Sequence, residues 1–186
     1  MATVEPRPVS LRDGRPALIR SAEPDDAPAV LALSREVACE RGWTVFEPDE
    51  VDADPGRLRE RIDGFRSRAD AVWLVALDEQ GRLLGELDCR AGRPRRLRHR
   101  ARLGVNVGAS ARGNGVGTAL IAATIAWARA HPTIEKLTLG VMAENAPAVA
   151  LYRSLGFIEE GRRTRELRLG PGRYADDLVM ALFVKP

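Results

Sequence analysis

Between positions 110 and 123 the chain reads SARGNGVGTALIAA, with Gly113, Gly115 and Gly117 alternating just before a strongly helical stretch. Residues of this type at this spacing hold phosphate. Glycines let backbone N–H groups come close to an anion, and a helix N-terminus adds partial positive charge. A nucleoside triphosphatase loop needs Lys and then Ser or Thr after its last glycine, because the ammonium reaches the terminal phosphates. Here Thr118 follows Gly117 directly, with no lysine. A dinucleotide loop, G-x-G-x-x-G, fits Gly113 and Gly115 but meets Thr118 at its third place; started at Gly115 it meets Leu120. It also requires an early strand–helix–strand unit and an acidic residue about 20 positions on. The pattern that remains is R-x-x-G-x-G over Arg112 to Gly117, suited to a diphosphate.

The elements that must position this loop can be read from periodicity. A short strand is predicted over residues 17–20, then a helix announced by Pro24, Asp25 and Asp26, with Ala27, Val30, Leu31, Ser34 and Val37 on its inner face. Residues 42–56 read as a loop carrying Trp43 and Phe46. A second helix follows over residues 57–68, with Leu58, Ile62 and Phe65 on one side. Two apolar runs joined by Asp78, Glu79, Gln80 and Gly81 predict a hairpin. A further strand, roughly residues 99–107, comes after the densest arginine cluster, GRPRRLRHR at 92–100, which is thereby a strand connection. After the loop come a helix over 115–130, the strand KLTLGVMA, the short helix APAVALYRSLG and two closing strands near 163–168 and 177–184. With no repeat and no internal linker, one α/β domain is the economical reading, and the Pro-, Arg- and Gly-rich residues 1–15 read as a flexible N-terminal tail ahead of a domain at 16–186.

Composition bounds the function. The 186 residues suffice for one domain with a proper core. An apolar fraction of 45% and a charged fraction of 30% are those of an ordinary soluble protein, with no run long enough to cross a bilayer. The start, MATVEPRPVS, has no apolar signal core, so the expected location is cytoplasmic and no membrane partner is expected. Cys39 and Cys89 are too few and too isolated for a disulfide framework or a metal site; both are expected as buried free thiols, with no metal. A net charge of +3 is mildly basic, and almost all of the positive charge is arginine, since Lys136 and Lys185 are the only lysines.

The flanks of the glycine loop make it specific. Upstream is RLGVNV; downstream, beyond the helix, comes N-x-x-A-x-x-L-Y-x-x-x-G-F at Asn145, Ala148, Leu151, Tyr152, Gly156 and Phe157. With these flanks the chain resembles the GNAT superfamily of acyl-coenzyme A N-acyltransferases over nearly its whole length. The resemblance implies an α/β (α+β) fold, in which a central, mostly antiparallel mixed sheet is splayed between its fourth and fifth strands and flanked by helices. It implies an acyltransferase, an acetyl-CoA-dependent N-acetyltransferase with acetyl-CoA as cosubstrate.

It also assigns roles. Arg112, Gly113, Asn114, Gly115, Val116, Gly117 and Thr118 are expected at the pyrophosphate. Val105, Asn106 and Val107 are expected along the pantetheine arm, with a strand amide polarising the thioester carbonyl. Asn145 and Ala148 are expected at the cofactor where the sheet splays, although Asn145 ahead of Ala146 and Pro147 also reads as a helix N-cap. Tyr152 is expected to protonate the departing thiolate: a thiol has a parent pKa of about 8.5 and a tyrosine about 10. A core aromatic is its other reading. The acceptor amine, protonated at neutral pH with a pKa near about 10.4, needs a base. The candidates are Glu86, His99 and Glu144. Many family members carry a carboxylate on the strand before the loop, where this chain has Arg102 and Leu103.

The acceptor is set by the segments that vary, here residues 43–54, 92–100 and 165–177. The motif resembles branches acetylating free amino acids, small amines or protein N-termini. Trp43 and Phe46 read either as pocket walls or as loop anchors, and Asp176 and Asp177 either as a draw for a cationic acceptor or as a turn. Two non-enzyme readings stand beside this: a CoA-binding sensor without turnover, and a nucleic-acid module built on Arg93, Arg95, Arg96, Arg98 and Arg100. The latter lacks interleaved aromatics or a recognition helix. Those arginines also suit the cofactor's 3′-phosphate or an acidic acceptor. Family members are often dimers, so a homodimer is a further expectation.

Overall fold

The computed structural model describes residues 3–40, 43–52 and 54–185. Eight strands form one sheet in the order β1-β2-β3-β4-β5-β6-β8-β7. They are β1 (Arg7–Ser10), β2 (Pro16–Ser21), β3 (Ala71–Leu77), β4 (Leu83–Ala91), β5 (Arg100–Val107), β6 (Lys136–Met142), β7 (Ile158–Gly170) and β8 (Arg173–Phe183). Four helices flank the sheet: α1 (Ala27–Cys39), α2 (Pro55–Arg66), α3 (Val116–Ala130) and α4 (Ala146–Ser154). Every neighbouring pair of strands is antiparallel except β5 and β6.

The two faces of the sheet are visible in β3, buried along most of its length. Val72, Leu74 and Ala76 join one core with Leu87, Leu120, Ile121, Tyr152 and Phe157 beneath α3 and α4. Ala71, Trp73 and Val75 join a second core with Ala27, Val30, Ile62 and Phe65 beneath α1 and α2. Strand β4 keeps this alternation on one side only. Leu87, Cys89 and Ala91 enter the α3 core, whereas Glu86, Asp88 and Arg90 take the α2 side. Of these three alternate residues Glu86 is buried, Asp88 half-buried and Arg90 exposed, and a buried carboxylate costs stability unless it is paired.

The β5/β6 ladder has three rungs, Arg100↔Lys136, Ala101↔Leu137 and Arg102↔Thr138, and then the strands part. Beyond Arg102, β5 is paired to β4 alone, so one of its edges is open inside the sheet. Counted with the extra strand β1, the expected splay between fourth and fifth strands is this gap between β5 and β6.

Several expectations are corrected. The 1–15 segment is not wholly a loose tail: β1 pairs with β2 from Arg7↔Ile19 to Ser10↔Pro16, and Leu11 is buried. Its single short strand has no apolar alternation for a periodicity argument to find. The closing strands are longer than residues 163–168 and 177–184, because β7 is an exposed edge strand rich in Arg and Glu whose pairing, not its pattern, makes it a strand. The second helix begins at Pro55, where the Asp54 side chain accepts from the Gly56 N–H at 2.8 Å. Gly42 and Ala53 of the expected loop lie outside the described residues. Cys89 is buried as expected, but Cys39 is exposed at the end of α1. None of the described helices is long and apolar enough to cross a membrane.

Candidate active site

The glycine loop lies just beyond the free end of β5. A single tight turn, Ala109–Ala111, leads into it, and Gly113 and Gly115 take φ of +76° and +92°, left-handed values that favour glycine. Gly117 serves packing: a Cβ there would come within 3.2 Å of the Leu151 side chain, so its absence lets α3 approach α4. Among the described residues, the six consecutive backbone N–H groups from Gly113 to Thr118 have no acceptor. This run of unmatched donors at the start of a 15-residue helix has a geometry that suits an anion.

Two neighbours hold the loop. The last turn of α1 supplies Glu36, whose Oε1 accepts from the Ala109 N–H at 2.9 Å, and the residue just after the helix, Glu40, takes both ends of the Arg112 guanidinium, one at 2.7 Å. Arg112 Nε donates to the Val107 carbonyl at 3.0 Å. Arg112 therefore clamps the loop to α1 and β5, and its charge is matched within the protein. On the other side, the turn after β1 donates the Arg12 N–H to the Asn114 carbonyl at 2.9 Å, with the Arg12 guanidinium 3.5 Å from the Gly113 carbonyl. Sequence reasoning missed Arg12, since nothing local marks a residue whose partner lies 101 positions away.

On the α2 face of the sheet, Glu86 is 4% exposed and accepts from Trp73 Nε1 at 2.8 Å and from Asn106 Nδ2 at 2.6 Å. Asn106, expected along the cofactor arm, thus turns its side chain to Glu86, its register partner. Burial, reinforced by Asp88, pushes the Glu86 carboxyl up to about 7 against the two hydrogen bonds and Arg61. Asp88, two residues on and on the same face, is also pushed up by burial, opposed by Arg61, Arg90 and Arg102. It faces Gly104, where a Cβ would stand 3.4 Å from its Oδ1. Asp88 was not singled out from sequence, although the alternation of Glu86, Asp88 and Arg90 within GELDCRA is a signal that could have found it.

Tyr152 lies on the opposite face, packed edge-on to Phe157 with ring centroids 5.8 Å apart. Burial alone pushes its phenol up to about 12, and no hydrogen bond contributes. Asn145 caps α4, its Oδ1 accepting from the Ala148 N–H at 3.2 Å. Val105 and Val107 lie on the part of β5 that is paired to β4 alone.

The structure does not bring His99 to this site. It is exposed, seven positions before Asn106, which at a strand rise of roughly 3.3 Å is about 23 Å from the Glu86 rung. Glu144 is exposed in the turn after β6. Trp43 and Phe46 are 44% and 57% exposed, so neither anchors its loop in the core. Asp176 is matched by Arg162 and the Arg165 N–H, and Asp177 by Arg163, which leaves neither free to draw a cationic acceptor.

A family model for the acetyltransferase (GNAT) family matches residues 35–157, which hold Glu86, Asp88, the glycine loop and Tyr152. The chain belongs to the GNAT acetyltransferase family. Its fold is that of solved GNAT proteins: an acetyltransferase of GNAT family from Streptococcus pneumoniae superposes with a TM-score of 0.85 at 29% identity, over 90% of this chain and 99% of that one. A ribosomal-protein-alanine N-acetyltransferase from Brucella melitensis gives 0.76 at 32% identity, over 89% and 98%. Among curated proteins, a mycothiol acetyltransferase of Salinispora tropica is 35% identical over 141 residues, 68% of this chain and 44% of that protein. The chain thus spans less than half the length of that relative. Arg12 and Asp177 lie outside the stretch matched by the GNAT model.

Proposed function

We propose that this chain transfers an acetyl group from acetyl-CoA to a primary amine, on a small molecule or a peptide N-terminus, by direct attack in a ternary complex. The observation that carries the reading is the opening between β5 and β6: a carboxyl titrating at about 7 stands on one face of the sheet and a neutral, buried phenol on the other. These are the base and the acid that acyl transfer to an amine requires. The unmatched N–H groups of Gly113 to Thr118 take the pyrophosphate, and the open edge of β5 at Val105 and Val107 takes the pantetheine arm. From Val107 back to Arg102 is five residues, about 17 Å of strand, which brings the thioester to the apex of the splay.

There Glu86, relayed by water past Asp88 and Gly104, removes the ammonium proton. Asn106 suits both states of that carboxyl, since its amide donates to the carboxylate and, turned over, accepts from the acid. A β5 amide stabilises the negative charge that develops on the carbonyl oxygen. Tyr152 gives its proton to the departing sulfur and regains one from the nitrogen, which loses its second proton as the amide forms. A phenol at about 12 is a poor match for a thiol in water at about 8.5, but burial of the sulfur raises its proton affinity too, so the transfer becomes feasible inside the site and costly outside it. The named relatives differ in acceptor, mycothiol in one and ribosomal-protein alanine in another, so neither is carried over.

The test is thiol release from acetyl-CoA across amino acids, simple amines, aminoglycosides and N-terminal peptides, with Tyr152→Phe alongside. Turnover on one class, lowered roughly 10²-fold or more in the variant, is expected. Tight CoA binding with no acetylated acceptor would instead make the chain a CoA sensor.

A further inference from the structure

At the apex of the splay, on the face that carries Glu86 and Asp88, a cavity of about 470 Å³ opens. Six arginines line it against two carboxylates. Those two are already matched: Glu160 pairs with Lys136, and Asp177 with Arg163. Of the arginines, Arg68 is held by Asp70. Arg90, Arg93, Arg100 and Arg102 have no carboxylate partner within ion-pair distance among the described residues. Register puts them in place. Arg90 and Arg102 are opposite one another on β4 and β5, two rungs from the Asp88–Gly104 pair and on the same face, and Arg102↔Thr138 is the last rung before the strands part. Gly140, also in the lining, lets the Asp177 carboxylate sit against the backbone, where a Cβ would come within 2.9 Å of its Oδ1. Arg93 and Arg100 come from the two ends of the β4–β5 connection.

Concentrating guanidinium groups around one open concave site, even solvent-exposed ones, raises a positive potential there that an anionic ligand relieves. The cofactor's 3′-phosphate is not that ligand. Arg100 is at the opposite end of β5 from the glycine loop, about 23 Å away by strand length, and the cavity sits where the acyl end of the cosubstrate arrives. We propose that this cavity selects the acceptor: a small molecule whose amine lies a few bonds from a carboxylate or phosphate, the anion held by Arg90 and Arg102 while the amine faces Asp88 and Glu86. This rests on the acetyl-transfer reading above and gives it a substrate class. It also accounts for Arg102 standing where a carboxylate was expected from the family resemblance.

The experiment uses matched acceptors with the full chain: glutamate against its diamide for the carboxylate, and phosphoethanolamine against ethanolamine for the phosphate. Acetyl-CoA-dependent thiol release is expected to favour at least one acid over its neutral partner by roughly tenfold or more in kcat/KM, mainly through KM, and the preference is expected to shrink as salt rises. Which pair shows it distinguishes carboxylate from phosphate. In Arg102→Gln and Arg90→Gln the acid-to-neutral ratio is expected to collapse, with partial recovery in Arg102→Lys. Equal use of neutral and acidic partners, or a ratio unmoved by both variants, overturns the proposal. A second readout does not depend on turnover. With coenzyme A saturating the glycine loop, glutamate or inorganic phosphate is expected to raise the melting temperature of the wild type and not of Arg102→Gln. Anion stabilisation without thiol release from any acceptor would sink the acetyl-transfer reading and keep the anion site; thiol release without anion stabilisation or acid preference would do the reverse.

Discussion

Replacing Glu86 by Gln tests the base and the cost of holding it. The substitution keeps the shape, and both contacts survive if the Asn106 amide turns its carbonyl toward the new NH₂ while Trp73 Nε1 still donates to the oxygen. What is lost is the titration. In the wild type the carboxyl moves from an ordinary 4.5 to about 7, roughly 2.5 units, or about 3 kcal/mol against the ionised folded state. Because the folded value is raised, the stability this group contributes is fully present below pH 4.5 and is lost as pH rises to about 7. Urea unfolding of the wild type should therefore lose up to about 3 kcal/mol from this group between those limits, whereas the Gln variant should not. At pH 8 the variant should be the more stable protein. Activity should run the other way: the base works only when ionised, so wild-type kcat/KM should climb through an apparent pKa near 7 and level off above it. The variant should lose roughly 10²- to 10⁴-fold and that limb with it. A limb near pH 7 persisting in Glu86→Gln would refute the assignment and move the titration to Asp88; an unchanged pH–stability curve would refute the burial argument itself.

The glycine loop gives two further expectations. Gly115→Ala places a side chain at φ +92°, where the nearest atom, Arg12 Cγ, is an ordinary 3.6 Å away; the loss of roughly 1 kcal/mol or more in urea unfolding thus comes from backbone strain, and the KM for acetyl-CoA should rise as the N–H groups shift. Arg12→Ala removes a cation beside the Gly113 carbonyl and should raise the KM for acetyl-CoA roughly 3- to 10-fold at low ionic strength and less in high salt; an unchanged KM would show that the turn after β1 only supports the loop.

The residues that announce themselves in this chain are those whose chemistry is local. Glycines at 113, 115 and 117 ahead of a helix, Asn145 before Ala146 and Pro147, and the alternation in β3 and β4 all act within one element or turn, so spacing alone exposes them. The glycine loop and most of the helical and strand order were legible for that reason, whereas the roles expected of the loop and of Tyr152 came from the family resemblance. Tertiary structure decided what depends on partners distant in the chain. Arg112 is spent on Glu40, 72 positions away, and Arg12 reaches the loop from a segment with no periodicity. His99 and Glu86 differ by only 13 positions, yet the antiparallel turn between β4 and β5 sends them to opposite ends of the sheet. The arginines at 90, 93, 100 and 102 look in sequence like a solvated basic run. Only the pairing of β4 with β5 and the early end of the β5/β6 ladder bring them, still solvent-exposed, to the lining of one open cavity. Spacing along a chain sets which neighbours share a face; which faces meet, and which charges are left without partners, is set by burial and strand register across the whole sheet.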